Sequence, residues 1–258
     1  MNQIVAEKTS SRQRLGIEFD RGRHDRAKIG YVLLAMEQTI EEDIYKLAPR
    51  GVGVHFTRAL MANSVTVDTL QAMKKHIGDA ASLLLPDGDL DVVCYACTSG
   101  SVVIGEEEVK SELLRGAPRS KPTTLVTGVI RALREMQARR IVIGTPYVDG
   151  INKIELEYLR QCGFDVLDIQ GLNVEHDSDM ARVTPDYLFQ FAKSIDRSDA
   201  DAVFISCGAL RTLDVVDALE KEISKPVIAS NQAMIWDTFR LAGIQDKIPG
   251  YGRLLWDH

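Results

Sequence analysis

Two seven-residue segments, 91–97 and 201–207, follow one pattern, Asp-x-Val-x-x-x-Cys. The middle of each segment is apolar and contains β-branched residues, which is typical of a buried strand. Each segment ends on a cysteine, Cys97 or Cys207, and small residues follow it. We therefore predict two equivalent strands, each leading into a strand-to-helix turn that begins at a cysteine.

Further landmarks recur in the same order around both segments. A β-branched run begins ahead of each one, at Ile29 and at Ile141, and Ser-Lys-Pro follows each one, at 120–122 and 224–226. The spacings are similar in the two copies. Three landmarks in the same order indicate an internal duplication of the chain.

The rest of the chain alternates short β-branched runs with helical patterns, which predicts parallel sheets covered by helices. The predicted strands are residues 29–34, 52–56, 91–96, 141–144, 164–169, 202–206 and 227–229. The predicted helices are residues 37–47, 67–81, 124–137, 153–161, 185–196, 212–223 and 232–242. We predict an α/β fold of two pseudo-symmetric halves, each a mostly parallel sheet flanked by helices, with the active-site cleft between them.

The repeat also divides the chain into segments. Residues 1–27 are polar and show no clear period, so we predict an N-terminal arm. The N-terminal half comprises residues 28–122 and the C-terminal half residues 123–243, and each contains one of the two repeated cysteines. We predict that the last helix of the second half packs on the first half, and that residues 244–258 form a C-terminal tail.

Charge and hydropathy exclude several classes of function. The formal net charge of −6 argues against nucleic-acid binding, which needs clustered Lys and Arg. No apolar run approaches the roughly 18–20 residues that span a bilayer, and residues 1–27 lack the apolar core of a signal peptide. We expect a cytoplasmic protein that binds neither nucleic acid nor a membrane, and we expect a homo-oligomer.

The four cysteines do not indicate a disulfide framework in a chain of 258 residues. Cys94 and Cys97 form a Cys-x-x-Cys pair, but zinc would need a second pair or nearby histidines. A redox pair would lie at a helix start with both thiols exposed, whereas Cys94 lies inside an apolar run. We predict a buried strand cysteine at position 94, with no metal and no cofactor.

Ligands of open parallel sheets bind beyond the carboxyl ends of the strands. Cys97 and Cys207 hold that position in their own halves, so packing of the halves about a pseudo-twofold axis brings both thiols to one cleft. The small residues after each cysteine expose backbone N–H groups that can bind a carboxylate and favour the thiolate. The alternative is a pair of cysteines that are merely packed in the core.

Two opposed thiols suit reactions at a carbon next to a carboxylate. One thiolate can remove the α-proton while the other thiol returns a proton to the opposite face, which inverts a stereocentre without pyridoxal phosphate or metal. A thiolate can also add to an activated double bond, allow rotation about the C–C bond and then leave. We predict a cofactor-independent isomerase or racemase acting on a small carboxylate, either a dicarboxylate or an amino-acid-like compound.

Four motifs resemble those of the aspartate/glutamate racemase superfamily, in its maleate isomerase and arylmalonate decarboxylase branch. They are Tyr-Ala-Cys-Thr-Ser-Gly-Ser at 95–101, Gly-Thr-Pro-Tyr at 144–147, Ser-Cys at 206–207 with Leu-Arg-Thr at 210–212, and Pro-Val-Ile-Ala-Ser-Asn-Gln-Ala at 226–233. The resemblance implies that Cys97 and Cys207 are the paired catalytic thiols. It also implies that the substrate carboxylate is bound by Thr98, Ser99, Tyr147 and Gly208.

The sequence departs from the maleate isomerase pattern at two positions. Residues 34–39 stand where a Pro-Ser-Ser-Asn-Thr turn is usual, with Glu37 in place of the substrate-binding Asn, and Asp177 falls near the place of a later Asn. Acids there would repel a second carboxylate and suit an amino group, as in members of the branch linked to ectoine utilisation. We predict that both acids bind substrate; the alternatives are a helix-start acid and a solvated loop acid.

Two other functions stay open at this point. Arylmalonate decarboxylases generally have Gly at the first cysteine position, and a decarboxylase would use Cys207 alone as the proton donor. A ligand-binding relative without catalysis is the third hypothesis.

Overall fold

A computed structural model describes residues 16–86 and 89–258 of the chain. Within these residues, eight strands form two parallel sheets. Strands β1 to β4 are Ala27–Leu34, Val52–Ala59, Val92–Tyr95 and Lys121–Thr124, and they form one sheet in the order β2-β1-β3-β4. Strands β5 to β8 are Arg140–Thr145, Asp165–Gly171, Ala202–Ile205 and Val227–Ala229, in the order β6-β5-β7-β8. Both sheets thus have the same strand order, and the predicted α/β fold with two repeated halves is confirmed.

Helices connect the strands and flank the sheets, as parallel pairing requires. In the first half they are α1 at Ile40–Leu47, α2 at Val67–Ala72, α3 at Lys74–Ala81, α4 at Thr98–Ile104 and α5 at Glu106–Gly116. The later helices are α6 at Leu125–Glu135, α7 at Asp149–Gln161, α8 at Asp177–Met180, α9 at Pro185–Ile195, α10 at Val216–Ile223, α11 at Ser230–Leu241 and α12 at Arg253–Asp257.

The aspartate that opens the repeated pattern has a structural role in both halves. Asp91 accepts a hydrogen bond on Oδ2 from the backbone N–H of Lys28 at 2.8 Å. Asp201 accepts one on Oδ2 from the backbone N–H of Arg140 at 2.7 Å. Each carboxylate therefore ties the start of one central strand to its neighbour. The shared aspartate is explained by this equivalent contact.

Successive residues of the central strands face opposite sides of the sheet, and both sides are buried. In β1, Ile29, Tyr31 and Leu33 belong to one apolar cluster, whereas Val32 and Leu34 belong to another. A strand covered on both faces needs an almost continuous apolar run. The sequence of β1, Ala-Lys-Ile-Gly-Tyr-Val-Leu-Leu, meets that need after its second residue.

All seven predicted strands are present, with ends shifted by a few residues. The structure adds β4, which begins with a lysine and a proline and so lacks a strand pattern. It also adds α4, α5, α8 and α12. The helix predicted at 67–81 is two helices, α2 and α3, separated at Met73, and the helix predicted at 212–223 begins as a 3₁₀ turn, Thr212–Asp214, ahead of α10.

Helix α11 of the second half contacts the first sheet. The Tyr31 hydroxyl on β1 and the Thr238 hydroxyl on α11 are hydrogen-bonded at 2.7 Å, and Thr123 on β4 donates to Asp237 Oδ2 at 2.8 Å. The boundary predicted between residues 122 and 123 falls inside β4. The first sheet therefore continues to Thr124, and the two halves share a core.

The segment just before β1 and the segment after α11 both contact the body of the protein. Residues 1–15 of the predicted arm lie outside the described residues, 16–26 form no helix or strand, and Ala27 already belongs to β1. Arg26 donates to Asp246 at 3.0 Å, and Leu254 and Leu255 of α12 are buried. Among residues 16–86 and 89–258, no helix has the length and apolar character needed to cross a membrane.

Candidate active site

Both repeated cysteines lie two residues beyond the carboxyl end of a central strand. Cys97 lies beyond β3 and is the N-cap of α4, where its Sγ accepts a hydrogen bond from the backbone N–H of Gly100 at 3.2 Å. Cys207 lies beyond β7 with a φ of 96°, a conformation that L-residues rarely adopt. Its backbone N–H donates to Ser230 Oγ at 3.0 Å.

One pocket is lined by all eight residues predicted from the sequence: Glu37, Cys97, Thr98, Ser99, Tyr147, Asp177, Cys207 and Gly208. Both thiols therefore belong to the same pocket, to which the two halves contribute. The pocket is narrow, with a volume of about 20 Å³, which is room for about one water molecule. A larger ligand needs some of the lining side chains to move aside.

The pocket also has an apolar wall that the sequence reasoning missed. Its residues are Leu34, Met61, Val65, Leu70, Ala96 and Ala209. Met61 and Val65 lie in the loop after β2, and Leu70 lies in α2. Apolar side chains at such positions are equally common in an ordinary core. No motif in the sequence marks Met61, Val65 or Leu70, because their only signal is hydrophobicity.

Tyr147 lies against the Cys207 thiol and is almost fully buried. The loop that carries it is held by Thr145, whose Oγ1 accepts from the backbone N–H of Tyr147 at 3.1 Å. Asn152 donates to the Tyr147 carbonyl at 3.2 Å. These contacts hold the backbone of Tyr147, and its hydroxyl can donate a hydrogen bond to a thiolate or to a bound carboxylate.

Small residues after each cysteine keep the backbone close to the pocket. The Ser99 hydroxyl lies 3.8 Å from Cys97 Sγ, and the Thr98 hydroxyl is hydrogen-bonded to Ser230 Oγ at 3.1 Å. At Gly208, a Cβ atom would approach Ile40 Cδ1 to 2.8 Å. Ser230 thus connects the turn after Cys97 with the backbone of Cys207. Ser230 lies in the motif at 226–233, but the sequence alone did not indicate a role for it.

Glu37 is buried at the start of α1. Its Oε1 accepts hydrogen bonds from the backbone N–H groups of Gln38, Thr39 and Ile40, at 2.9, 2.5 and 2.9 Å. Burial raises the pKa of the Glu37 carboxyl, and these three donors partly oppose that shift. Glu37 therefore makes the contacts expected of an acid at a helix start, and its side chain also lines the pocket.

Asp177 is the first residue of α8 and is only 5% exposed, so it is not a solvated loop acid. Its backbone N–H donates to the Asn63 carbonyl at 3.1 Å, which attaches this segment to the loop after β2. Oδ2 of the carboxylate is buried without a hydrogen-bond partner among the described residues. Burial raises the pKa of Asp177 to about 6, and the charge of Glu37 adds to the shift.

Burial opposes the ionisation of both thiols, contrary to the expectation that the turns after the cysteines favour the thiolate. Burial raises the pKa of Cys97 to about 12, against hydrogen bonds from Gly100 and Ser99 that favour the thiolate. Burial also raises the pKa of Cys207 well above its usual value, and hydrogen bonds from Tyr147 and the backbone N–H of Ala209 oppose it. The charges of the two pocket acids raise both pKa values further.

Cys94 does not belong to this pocket. It is fully buried on β3 in the apolar cluster on the opposite side from Cys97, as expected for a strand cysteine. Burial raises the pKa of its thiol. In the part of the chain that the structure describes, no group of three or more His, Cys, Asp and Glu side chains is placed to hold a metal ion.

Comparisons with known proteins identify relatives over most of the chain. The family model for arylmalonate decarboxylase matches residues 48–255. An arylmalonate decarboxylase of Bordetella bronchiseptica is 32% identical over 196 residues, which are 74% of this chain and 81% of that protein. A maleate isomerase of Nocardia farcinica is 27% identical over 240 residues, which are 88% of this chain and 95% of that protein.

The fold is also that of a solved relative. A Nocardia farcinica maleate cis-trans isomerase mutant, solved with a covalently bound succinylcysteine intermediate, has a TM-score of 0.83 at 23% identity. The similarity covers 90% of this chain and 99% of that one. The predicted resemblance to the maleate isomerase and arylmalonate decarboxylase branch is confirmed. Given the family model and the two enzyme relatives, this chain belongs to the arylmalonate decarboxylase family.

Proposed function

We propose that this chain is a cofactor-independent isomerase or racemase of a small carboxylate, with Cys97 and Cys207 as its catalytic pair. The observation that carries the proposal is the position of both thiols in one narrow pocket. Two cysteines packed only for stability would have no reason to share a pocket with Tyr147 and two acids. A ligand between the thiols would have one sulfur on each side.

The proposed reaction needs one thiolate and one thiol. The thiolate removes the proton from the carbon next to the carboxylate, and the opposite thiol donates a proton to the other face. The product has the inverted configuration, and the two sulfurs have exchanged their protonation states. For a substrate with a double bond, a thiolate adds to one of its two carbons and the electron pair moves toward the carboxylate. The former double bond is then a single C–C bond and can rotate, after which the thiolate leaves and the double bond forms again.

The pocket supplies donors for the charge that develops during either route. We propose that Thr98, Ser99, Tyr147 and Gly208 bind the substrate carboxylate through their hydroxyl and backbone N–H groups. Negative charge moves onto the carboxylate oxygens when the neighbouring carbon loses its proton. Fixed donors at those oxygens then stabilise the transition state more than the ground state.

A decarboxylase is the second candidate, because the family model and the Bordetella bronchiseptica relative are both named for that activity. In this reaction carbon dioxide leaves a malonate-like substrate, and Cys207 protonates the resulting carbanion. One thiol is sufficient for that chemistry. The presence of a second thiol in the pocket favours the isomerase or racemase.

The deciding experiment is exchange of substrate protons with solvent deuterium, followed by NMR. We expect deuterium to enter at one α-carbon across a panel of dicarboxylates, amino acids and N-acylated diamino acids. Cys207→Ser and Cys97→Ser should each reduce turnover by at least about a hundredfold, because general acid–base groups typically contribute that much. Cys162→Ser, outside the pocket, is the matched control and should keep full activity.

Two results of this experiment would change the assignment. Full turnover in Cys207→Ser would remove the two-thiol mechanism. Release of carbon dioxide that survives Cys97→Gly would identify the decarboxylase instead.

We also propose that the protein acts in the cytoplasm and as a homo-oligomer. The cysteines Cys94, Cys97, Cys162 and Cys207 are all free, which suits a reducing compartment. Ile17 and Phe19 of the arm are 81% and 90% exposed, and contact with a second copy would cover their apolar surface.

A further inference from the structure

The pocket has an unusual charge for a site that is to bind carboxylates. Its described lining residues include two acids, Glu37 and Asp177, but no lysine, arginine or histidine. A dicarboxylate would bring two negative charges to two more, inside a buried space where charge repulsion is poorly screened. The lining therefore disfavours a ligand with a negative charge at both ends.

Asp177 is the more open of the two acids to a new partner. The residue is only 5% exposed, and Oδ2 accepts no hydrogen bond within the described residues. A buried carboxylate oxygen without a donor is costly, and a cationic donor is the partner that stabilises it most. The backbone N–H groups of Asp177 and Ser178 donate to the carbonyl and to Oδ1 of Asn63, which holds the segment and leaves Asp177 Oδ2 without a donor.

Glu37 offers a second free acceptor in the same pocket. All three hydrogen bonds to its carboxylate go to Oε1, and within the described residues none engages Oε2. The guanidinium of Arg58, whose charge lowers the pKa of Glu37, donates to the Leu34 and Glu37 carbonyls, both at 2.9 Å, and to Glu41 at 2.5 Å. The Arg58 guanidinium is thus bound to these three acceptors, and Arg58 does not line the pocket.

We propose that Asp177 and Glu37 bind an ammonium group of the substrate, which is therefore a small amino carboxylate rather than a dicarboxylate. The inference rests on the proposed function and deepens it, because it names the class of carboxylate. The ammonium donates to Asp177 Oδ2 and Glu37 Oε2, while the carboxylate is bound by the turns after the two cysteines. Asp177 and Glu37 act here as specificity-determining residues.

The same contact has a consequence for the thiols. Negative charge on the two acids raises the pKa of Cys97 and of Cys207. A bound ammonium offsets that charge and so favours formation of the thiolate only when substrate is present. Reactive thiolate would then be scarce in the empty enzyme, which protects it from oxidation.

The test compares two probes that differ only at one end, 3-aminopropionate and succinate. Their dissociation constants are measured by titration calorimetry at pH 7.5, where Asp177, with its pKa of about 6, is ionised. We expect the wild-type chain to bind 3-aminopropionate at least about tenfold more tightly, the factor typical of a charge-assisted hydrogen bond. Asp177→Asn and Glu37→Gln should each remove this preference or reverse it.

The matched control is Asp179→Asn, the same change on an exposed acid of α8 that pairs with Arg182. It should leave the ratio of the two constants unchanged. Glu37→Gln keeps the Oε1 acceptor that the start of α1 needs, so it serves if Asp177→Asn does not fold. The inference is overturned if the wild type binds succinate at least as tightly, if it does not bind 3-aminopropionate, or if both changes leave the ratio unaltered.

Binding is measured without turnover, so the two proposals can fail separately. A preference for the amine with no deuterium exchange in any amino carboxylate would overturn the proposed function and keep the ammonium site. Exchange restricted to dicarboxylates and abolished by the cysteine changes would keep the function and overturn the ammonium site.

Discussion

Cys207 combines a proposed catalytic thiol with a backbone that most residues avoid. Its φ of 96° is in the region favoured by glycine, whereas Cys97 has an extended φ of −145°. Residues held in such conformations cost about 1–3 kcal/mol and are found most often at functional sites. The hydrogen bond from the Cys207 N–H to Ser230 Oγ helps to hold the conformation.

This difference predicts opposite effects of glycine and alanine at the two cysteines. At position 207, Cys207→Gly should give a free energy of unfolding about 1 kcal/mol higher than Cys207→Ala, because glycine accepts the positive φ. At position 97, Cys97→Ala should be the more stable variant. Urea unfolding of the four variants measures both orders. The same order at both positions would show that the Cys207 backbone relaxes in the variants.

The sequence allowed the polar residues of the pocket to be predicted better than the apolar ones. Cys97, Thr98 and Ser99 lie in a motif whose composition is unusual, so their grouping carried information. Met61 and Val65 carried none, since an apolar residue looks the same in a core and in a pocket wall. The free carboxylate oxygen of Asp177 depends on three-dimensional packing, which the sequence does not reveal.

At the scale of elements, the backbones of α6 and α11 approach each other closely. A Cβ atom on Gly128 of α6 would lie 3.0 Å from both the Ala233 carbonyl oxygen and Met234 Cα on α11. Glycine permits this approach because it has no side chain. The contact brings α11 against the first sheet, where Tyr31 and Thr238 meet.

We therefore expect Gly128→Ala to reduce stability by about 1–3 kcal/mol, as is usual when a packed interface receives an extra carbon. Gly150→Ala in α7 is the matched control, because nothing lies within 4 Å of a Cβ there. Alanine should stabilise that helix by up to about 1 kcal/mol. Urea unfolding of both variants separates packing from helix propensity. Equal shifts would mean that α6 and α11 can move apart without cost.

Element prediction succeeded where one physical signal dominated. The buried strands have apolar, β-branched runs, and α9 begins at a proline after Thr184, whose hydroxyl accepts from the Tyr187 N–H. Strand β4 was missed because its residues, Lys-Pro-Thr-Thr, pair only through the neighbouring β3. Helix α4 was missed because its first turn, Thr-Ser-Gly-Ser, has low helix propensity and depends on the Cys97 cap.

At the scale of the whole molecule, several acids are buried without a full set of partners. Burial raises the pKa of Asp43 and of Glu155 to about 7, and that of Asp177 to about 6. These carboxyl groups hold a proton more tightly when the chain is folded than when it is unfolded. The folded state is therefore favoured at low pH, and stability falls as the pH rises from about 4 through 7.

Glu155 on α7 is the clearest test, since it is only 1% exposed and forms no ion pair among the described residues. Its pKa of about 7 lies above the ordinary 4.5, so the stability it contributes is complete below pH 4.5 and is lost as the pH rises through 7. Glu155→Gln should reduce the difference in unfolding free energy between pH 5 and pH 8 by about 2–3 kcal/mol.

The measurement is urea unfolding at the two pH values. Glu157→Gln, on the exposed side of the same helix, is the control and should leave the difference unchanged. An unchanged difference in Glu155→Gln would mean that Glu155 ionises freely in the folded protein.

The identical strand order of the two sheets has a consequence for how a ligand can be oriented. In a dimer of two identical halves, a ligand bound between the halves would meet the same side chains at both of its ends. Here one chain carries both copies, so a change in one is not mirrored in the other: Thr-Ser-Gly follows Cys97, and Gly-Ala-Leu follows Cys207. The duplicated fold keeps one cysteine in each half while the turns after them differ, so the two ends of an asymmetric substrate can meet different side chains.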